Sequence, residues 1–330
     1  MADRFASVIG ADKAVGMAVP QSQTRPIRNP KLMRLLPDYS AHALHTVAAA
    51  PRAELWRTLL GMVAMVAVYL VLMMFYRQAI FGLGRVSPGF EEDLMDGATP
   101  LAMYVLLGSF ALITAAVFLV VRVLHKREAL SVMGPVILAV PQFFRVMALL
   151  LLVGAVVMIL PPYGIGGALV PNMPIGLWAL LLPLSLLAVF IQISAEEIFF
   201  RGYLQQQLAA RFRSPLVWMV LPSVLFAFGH YQPAEAGENA VLILIWAGLF
   251  GLLMADLTAR AGSIGPAIAV HFMNNAVALL ITSLPDSLGG LALFHTPFGM
   301  EDTAQLRAWL PVDFMMMIVM WLAARLALRR

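Results

Sequence analysis

The sequence predicts an all-α fold: a polytopic membrane helix bundle with about eight transmembrane helices. Three observations lead there. The 330-residue chain is 61% hydrophobic and only 12% charged, against roughly a quarter charged in an ordinary soluble domain. Its apolar residues fall in unbroken runs, several longer than the ~20 residues a helix needs to cross a bilayer. Because the runs are continuous rather than alternating, they satisfy their backbone groups as helices and not as barrel strands. The third observation is the one-sided placement of Lys and Arg, which follows once the runs are ordered along the chain.

Residues 1–55 read as a polar, proline-containing cytoplasmic arm whose composition is compatible with partial disorder, and residues 56–330 as the transmembrane helical domain. The arm lacks the compact apolar core of a cleaved signal peptide. Eight spans follow, at about 58–76, 101–121, 143–160, 176–196, 215–231, 240–257, 264–283 and 312–328. Residues 129–145, apolar with two prolines, are compatible with an interfacial piece before the third span. With a cytoplasmic N-terminus, all but Arg77, Arg85 and Arg307 of the 22 basic residues lie on the cytoplasmic side. The outer loops are acidic ("EEDLMD", "AEAGEN") or nearly uncharged. Both termini are therefore expected in the cytoplasm, and the strong asymmetry favours a bacterial inner membrane. The net charge of +4 follows the membrane and is no sign of nucleic-acid binding, and the absence of cysteine excludes disulfides and thiolate metal sites. No internal repeat or second domain is visible.

Ionisable groups within the spans are few. Those that stand out are Glu196 and Glu197 in "SAEEIFFRGYL", His230 in "FAFGHY", and His271 in "AVHFMNNAV". An ionisable side chain at the centre of a membrane helix costs about 2.5–3.5 kcal/mol on insertion scales, so these groups are expected to meet inside the bundle. Glu196 and His230 each lie about 25 Å along their helices from the turn at Arg213–Ser214, level with one another. Glu197 and Arg201 are one α-helical turn apart and can pair, whereas Glu196 points about 100° away and stays outside that pair. His271 and Asn275, and Phe226 and His230, stand in the same i, i+4 relation. The polar run Arg201–Gln207 suits a cytoplasmic vestibule. His42, His45, His125 and His295 lie outside the spans and look ordinary. A carboxylate, two imidazoles and an amide suit water attack on a peptide bond: Glu196 as base, His230 and His271 orienting a water or binding a metal, Asn275 donating to a developing oxyanion.

These segments are similar to the signature motifs of the CPBP family, intramembrane proteases related to type II CAAX prenyl endopeptidases and to the Abi group of bacteriocin-processing and immunity proteins. The family's EExxxR, FxxxH and HxxxN are matched in order by Glu196-Glu197-xxx-Arg201, Phe226-xxx-His230 and His271-xxx-Asn275. The resemblance spans about residues 176–283. It implies an intramembrane endopeptidase with Glu196, His230, His271 and Asn275 catalytic and with Glu197, Arg201 and Phe226 supporting. It leaves metal dependence open: Glu196, His230 and His271 form a candidate set for one divalent metal such as zinc, without an HExxH helix. Expected partners are the lipid bilayer and a membrane-peptide or lipidated-tail substrate, with no nucleic acid. Two other readings fit the same buried groups, namely a non-catalytic scaffold or immunity protein of this fold, and a proton-coupled transporter.

Overall fold

A computed structural model of the chain describes residues 38–82, 89–160, 167–300 and 302–329. The first 37 residues of the expected arm, together with Arg85 and Arg330, lie outside them. The helical unit begins at Asp38, so the segment 38–54, read from the sequence as part of the arm, belongs to it.

In chain order the elements are α1 (His42–Thr46), a 3-10 turn (Ala50–Arg52), α2 (Leu55–Phe81), α3 (Phe90–Asp96), α4 (Pro100–Ser109), α5 (Ala111–Val123), a second 3-10 turn (Ala129–Met133) and α6 (Val136–Ile159). Then come α7 (Ile175–Glu197), which runs through a π-helix (Ile198–Gln205) into α8 (Gln206–Arg211), and a π turn (Leu216–Val220) leading into α9 (Leu221–Phe228). The chain closes with α10 (Pro233–Ala236), α11 (Ala240–Ala261), α12 (Gly265–Ala276) with a π end (Val277–Ile281), and α13 (Thr303–Leu328). Among the described residues, strands are confined to three two-residue pieces at Val170–Pro171, Thr282–Ser283 and Phe294–His295, with the last in the middle.

The all-α membrane bundle stands, with a different span count. Among the described residues six helices are long and apolar enough to cross a bilayer: Leu55–Phe81, Pro100–Val123, Val136–Ile159, Ile175–Arg211, Pro233–Ala261 and Thr303–Leu328. The expected fifth and seventh spans are the shorter helices Leu216–Phe228 and Gly265–Ile281. At 1.5 Å per residue these reach about 20–25 Å, less than the ~30 Å hydrocarbon core. Hydropathy overcounts here because burial in protein demands the same apolar residues as contact with lipid. Every residue of Gly265–His271 is buried inside the bundle. The stretch 136–145, compatible from sequence with an interfacial piece, instead forms the opening turns of α6, with Pro141 inside the helix.

Outward-facing side chains such as Val63, Phe75, Met158 and Leu180 are each more than three-fifths exposed. Apolar exposure on that scale, along helices that satisfy their own backbone groups, is stable in hydrocarbon and not in water. Inside, two apolar clusters form. One gathers Val117, Val121, Val189, Ile193 and Ile198, the other Val146, Phe226, Phe250, Val270 and Met317. Helix α12 packs on both α6 and α7. Gly265 makes the first contact possible, since a Cβ at that position would run into the Ala139 carbonyl. Gly251 does the same between α11 and α9, where an added Cβ would press on Ser223.

Candidate active site

The site is built on the end of α7. Glu196 and Glu197 are its last residues, after which the backbone widens into the π-helix Ile198–Gln205. Such widened turns cost backbone regularity and often mark functional positions. Glu197 and Arg201 are both essentially unexposed, and Arg201 Nη1 donates to Glu197 Oε1 at 3.0 Å. Arg201 Nη2 donates to the Gly251 carbonyl at 3.3 Å, and its guanidinium carbon lies 4.8 Å from the centre of the Phe226 ring. Removing two charges from water is expensive, and this one is offset by pairing, an added hydrogen bond and a cation–π contact.

His271, on α12, stands between the two glutamates. Its Nδ1 is 2.8 Å from Glu197 Oε1, and its Nε2 is 3.6 Å from Glu196 Oε2. A carboxylate paired with a guanidinium only accepts, so the assigned tautomer has Nδ1 protonated and, in the neutral ring, a lone pair on Nε2. The second distance is too long for a hydrogen bond. Glu196 Oε2 is buried and has no hydrogen-bond partner in the described structure. The other Glu196 oxygen, Oε1, accepts from Gln192 Nε2 at 2.6 Å. The imidazole is walled by aromatic rings, with Phe250 at 4.9 Å and Phe226 at 6.1 Å between centroids.

Asn275 Nδ2 donates to Gln192 Oε1 at 2.9 Å, and its Oδ1 accepts from Asn274 at 3.1 Å. His230 follows the end of α9, half-buried, with Nδ1 2.9 Å from the Phe226 carbonyl and its ring 4.4 Å from the Phe226 ring. No hydrogen bond or ion pair joins it to either glutamate or to His271 among the described residues, so it reaches the cluster only through Phe226. The Phe226 ring itself contacts both imidazoles, His230 at 4.4 Å and His271 at 6.1 Å between centroids.

Among the described residues no three His, Cys, Asp or Glu side chains form a set that could hold a metal ion. A catalytic zinc takes three protein ligands, and here only Glu196 Oε2 and His271 Nε2 converge. Two converging donors fall short of that set.

Two sequence expectations near the site are corrected. The run Arg201–Gln207 lines no vestibule. Gln205, Gln206 and Gln207 are fully buried and tie distant segments together, bonding the carbonyls of Ala255, His45 and Ser131 and the ring of His125. The helix end is polar because it holds backbone, not water. His42, His45 and His125 are likewise not ordinary surface residues, since all three are buried. Gln192 was not singled out from the sequence. It is the one side-chain amide between Ile175 and Glu196, one turn before the glutamate, and that is the signal that would have found it.

Residues 177–277 match the family model described as type II CAAX prenyl endopeptidase Rce1-like. Through this segment the chain is similar to the type II CAAX prenyl endopeptidases. All seven motif residues lie within it. The chain is also similar to the uncharacterized protein YyaK of Bacillus subtilis (strain 168), 34% identical over 121 residues. That alignment covers 35% of this chain and 39% of the relative. No solved structure matches the chain. The matched segment thus contains the whole polar cluster, whereas α1 to α6 and α13 lie outside the family match.

Proposed function

We propose that the protein is an intramembrane endopeptidase that hydrolyses a peptide bond in or next to the membrane by glutamate-activated attack of water. The observation that carries this reading is the opposition of Glu196 Oε2, unpartnered, to the lone pair of His271 Nε2 at 3.6 Å. A water between them gives one proton toward each and presents its oxygen to a carbonyl carbon. Glu196 takes the proton as the C–O bond forms, then returns it to the amine nitrogen as the C–N bond breaks. Glu197 holds the other nitrogen of His271 and fixes its tautomer, while Arg201 balances the Glu197 charge. Asn275 has one amide N–H engaged with Gln192 and a second left to donate to the oxyanion. His230, across Phe226, faces the substrate rather than the water.

The family description supports a prenylated or otherwise lipidated tail as substrate, approached from the side carrying Arg122, Lys126, Arg211 and Arg213, which is then the cytoplasmic side of a bacterial inner membrane. The test is comparison of membrane-peptide profiles from cells bearing the wild type or Glu196→Gln. Peptides that persist only in the variant name the substrate. Identical profiles at equal protein levels contradict the reading.

A further inference from the structure

Gln192 joins two groups to which the proposed reaction gives separate tasks. Its Nε2 donates to Glu196 Oε1 at 2.6 Å, one turn along α7, and its Oε1 accepts from Asn275 Nδ2 at 2.9 Å, on α12. The side chain is 7% exposed, so water offers these atoms little alternative. A carboxylate only accepts, which turns the amide N–H of Gln192 toward Glu196 and its oxygen toward Asn275. That in turn makes Asn275 the donor to Gln192 and leaves Asn275 Oδ1 to accept from Asn274, as observed at 3.1 Å. The carboxylate of Glu196 thereby sets the orientation of every amide in the row.

We propose, resting on the hydrolytic reading above, that Gln192 is the positioning residue of the site. By occupying Glu196 Oε1 it rotates Oε2 toward His271, and by accepting from Asn275 it holds the remaining Asn275 N–H toward the scissile carbonyl. Glutamine is one of the few side chains that donates and accepts at this reach without adding charge beside Glu196. Leucine fills the volume and does neither. Glutamate keeps the acceptor for Asn275 and replaces the donor with a repelling carboxylate, except when protonated.

The experiment uses the purified full-length chain in lipid nanodiscs and an internally quenched peptide with a prenylated CAAX terminus, with wild type, Glu196→Gln, Gln192→Leu and Gln192→Glu in parallel. The expected result is cleavage by wild type, cleavage slower by about 10²–10⁴-fold by Glu196→Gln, and a kcat lower on the order of 10²-fold in Gln192→Leu, the scale of a misplaced catalytic group, with KM little changed. In Gln192→Glu the ratio of its kcat to that of wild type rises as pH is lowered, because the introduced carboxyl, once protonated, can donate to Glu196 again. A structural role alone would not produce that pH signature. Wild-type kcat in Gln192→Leu, or a Gln192→Glu ratio indifferent to pH, overturns the role of Gln192 while leaving the protease reading intact. Equal rates in wild type and Glu196→Gln overturn both.

Discussion

His45 Nε2 donates to the main-chain oxygen of Arg201 at 3.0 Å, across 156 residues of sequence. A histidine from the segment before the first long helix thus touches the helix that carries the candidate base and its ion pair. His45 belongs to a buried set with His42 and His125, whose rings are bonded or stacked against Gln205, Gln207, Tyr203 and Trp218. Burial pushes His42 down to about 3, and His45 and His125 down to about 4, with Arg127 adding repulsion to the latter two.

The sign of the pH dependence follows. Unfolded histidine protonates near 6.5, so below that pH the unfolded chain binds protons that the folded one refuses. Stability is intact above about pH 6.5 and falls as pH drops toward 4, by about 1.4 kcal/mol per pH unit for each such imidazole. Thermal unfolding midpoints in detergent, measured across that window, should decline steeply in wild type and less steeply in His42→Phe. Equal slopes in the two proteins would refute the assignment of the loss to this set.

Arg201→Met leaves the Glu197 charge buried without its main partner and is expected to destabilise by about 3–5 kcal/mol. The double change Glu197→Gln with Arg201→Met removes both charges and should recover a large part of that loss. Unfolding midpoints of the four proteins complete the cycle, and an additive result would mean that the two residues do not act as a pair.

Gln206 Nε2 donates to the His45 carbonyl at 2.6 Å and to the Ser131 carbonyl at 2.8 Å. Gln206→Leu strands both, at about 1–3 kcal/mol for each buried acceptor. The segment 38–54 should then open more often and be cut sooner in limited proteolysis, with the helices beyond Leu55 unaffected. An unchanged cleavage rate would show that this amide does not anchor the segment.

Parts of this arrangement were legible in the sequence for a simple reason. Charges inside an apolar run are costly wherever they stand, so Glu196, Glu197 and His271 announce themselves, and i, i+4 spacing pairs Glu197 with Arg201 without further information. Gln192 was harder to see because a neutral amide carries no such cost signal; its importance comes from Asn275, 83 residues away. The polar run through Gln207 misled because its partners, His45, Ser131 and Ala255, come from remote segments. Two of the eight expected spans are the shorter helices Leu216–Phe228 and Gly265–Ile281, and Gly265–His271 is buried inside protein, where hydropathy reads the same as in lipid. The Phe226 ring beside His230 packs on Phe200 and Phe250, partners from other helices that i, i+4 spacing does not reveal.

Water activation by Glu196 and His271, without a third ligand to complete a metal site, predicts hydrolysis that withstands a zinc chelator. Rates with the quenched prenylated peptide should be the same before and after chelation and dialysis. Loss of activity restored by added zinc would contradict that expectation.

The most direct test of the central claim, that Glu196 draws the proton from the attacking water, is single-turnover cleavage in isotopically heavy-oxygen water by wild type and by Glu196→Gln matched for thermal stability. The wild type should place one heavy oxygen in the newly formed carboxylate, and the variant should be slower by about 10²–10⁴-fold, the usual contribution of a general base. Equal rates, or a product without the heavy oxygen, would contradict it.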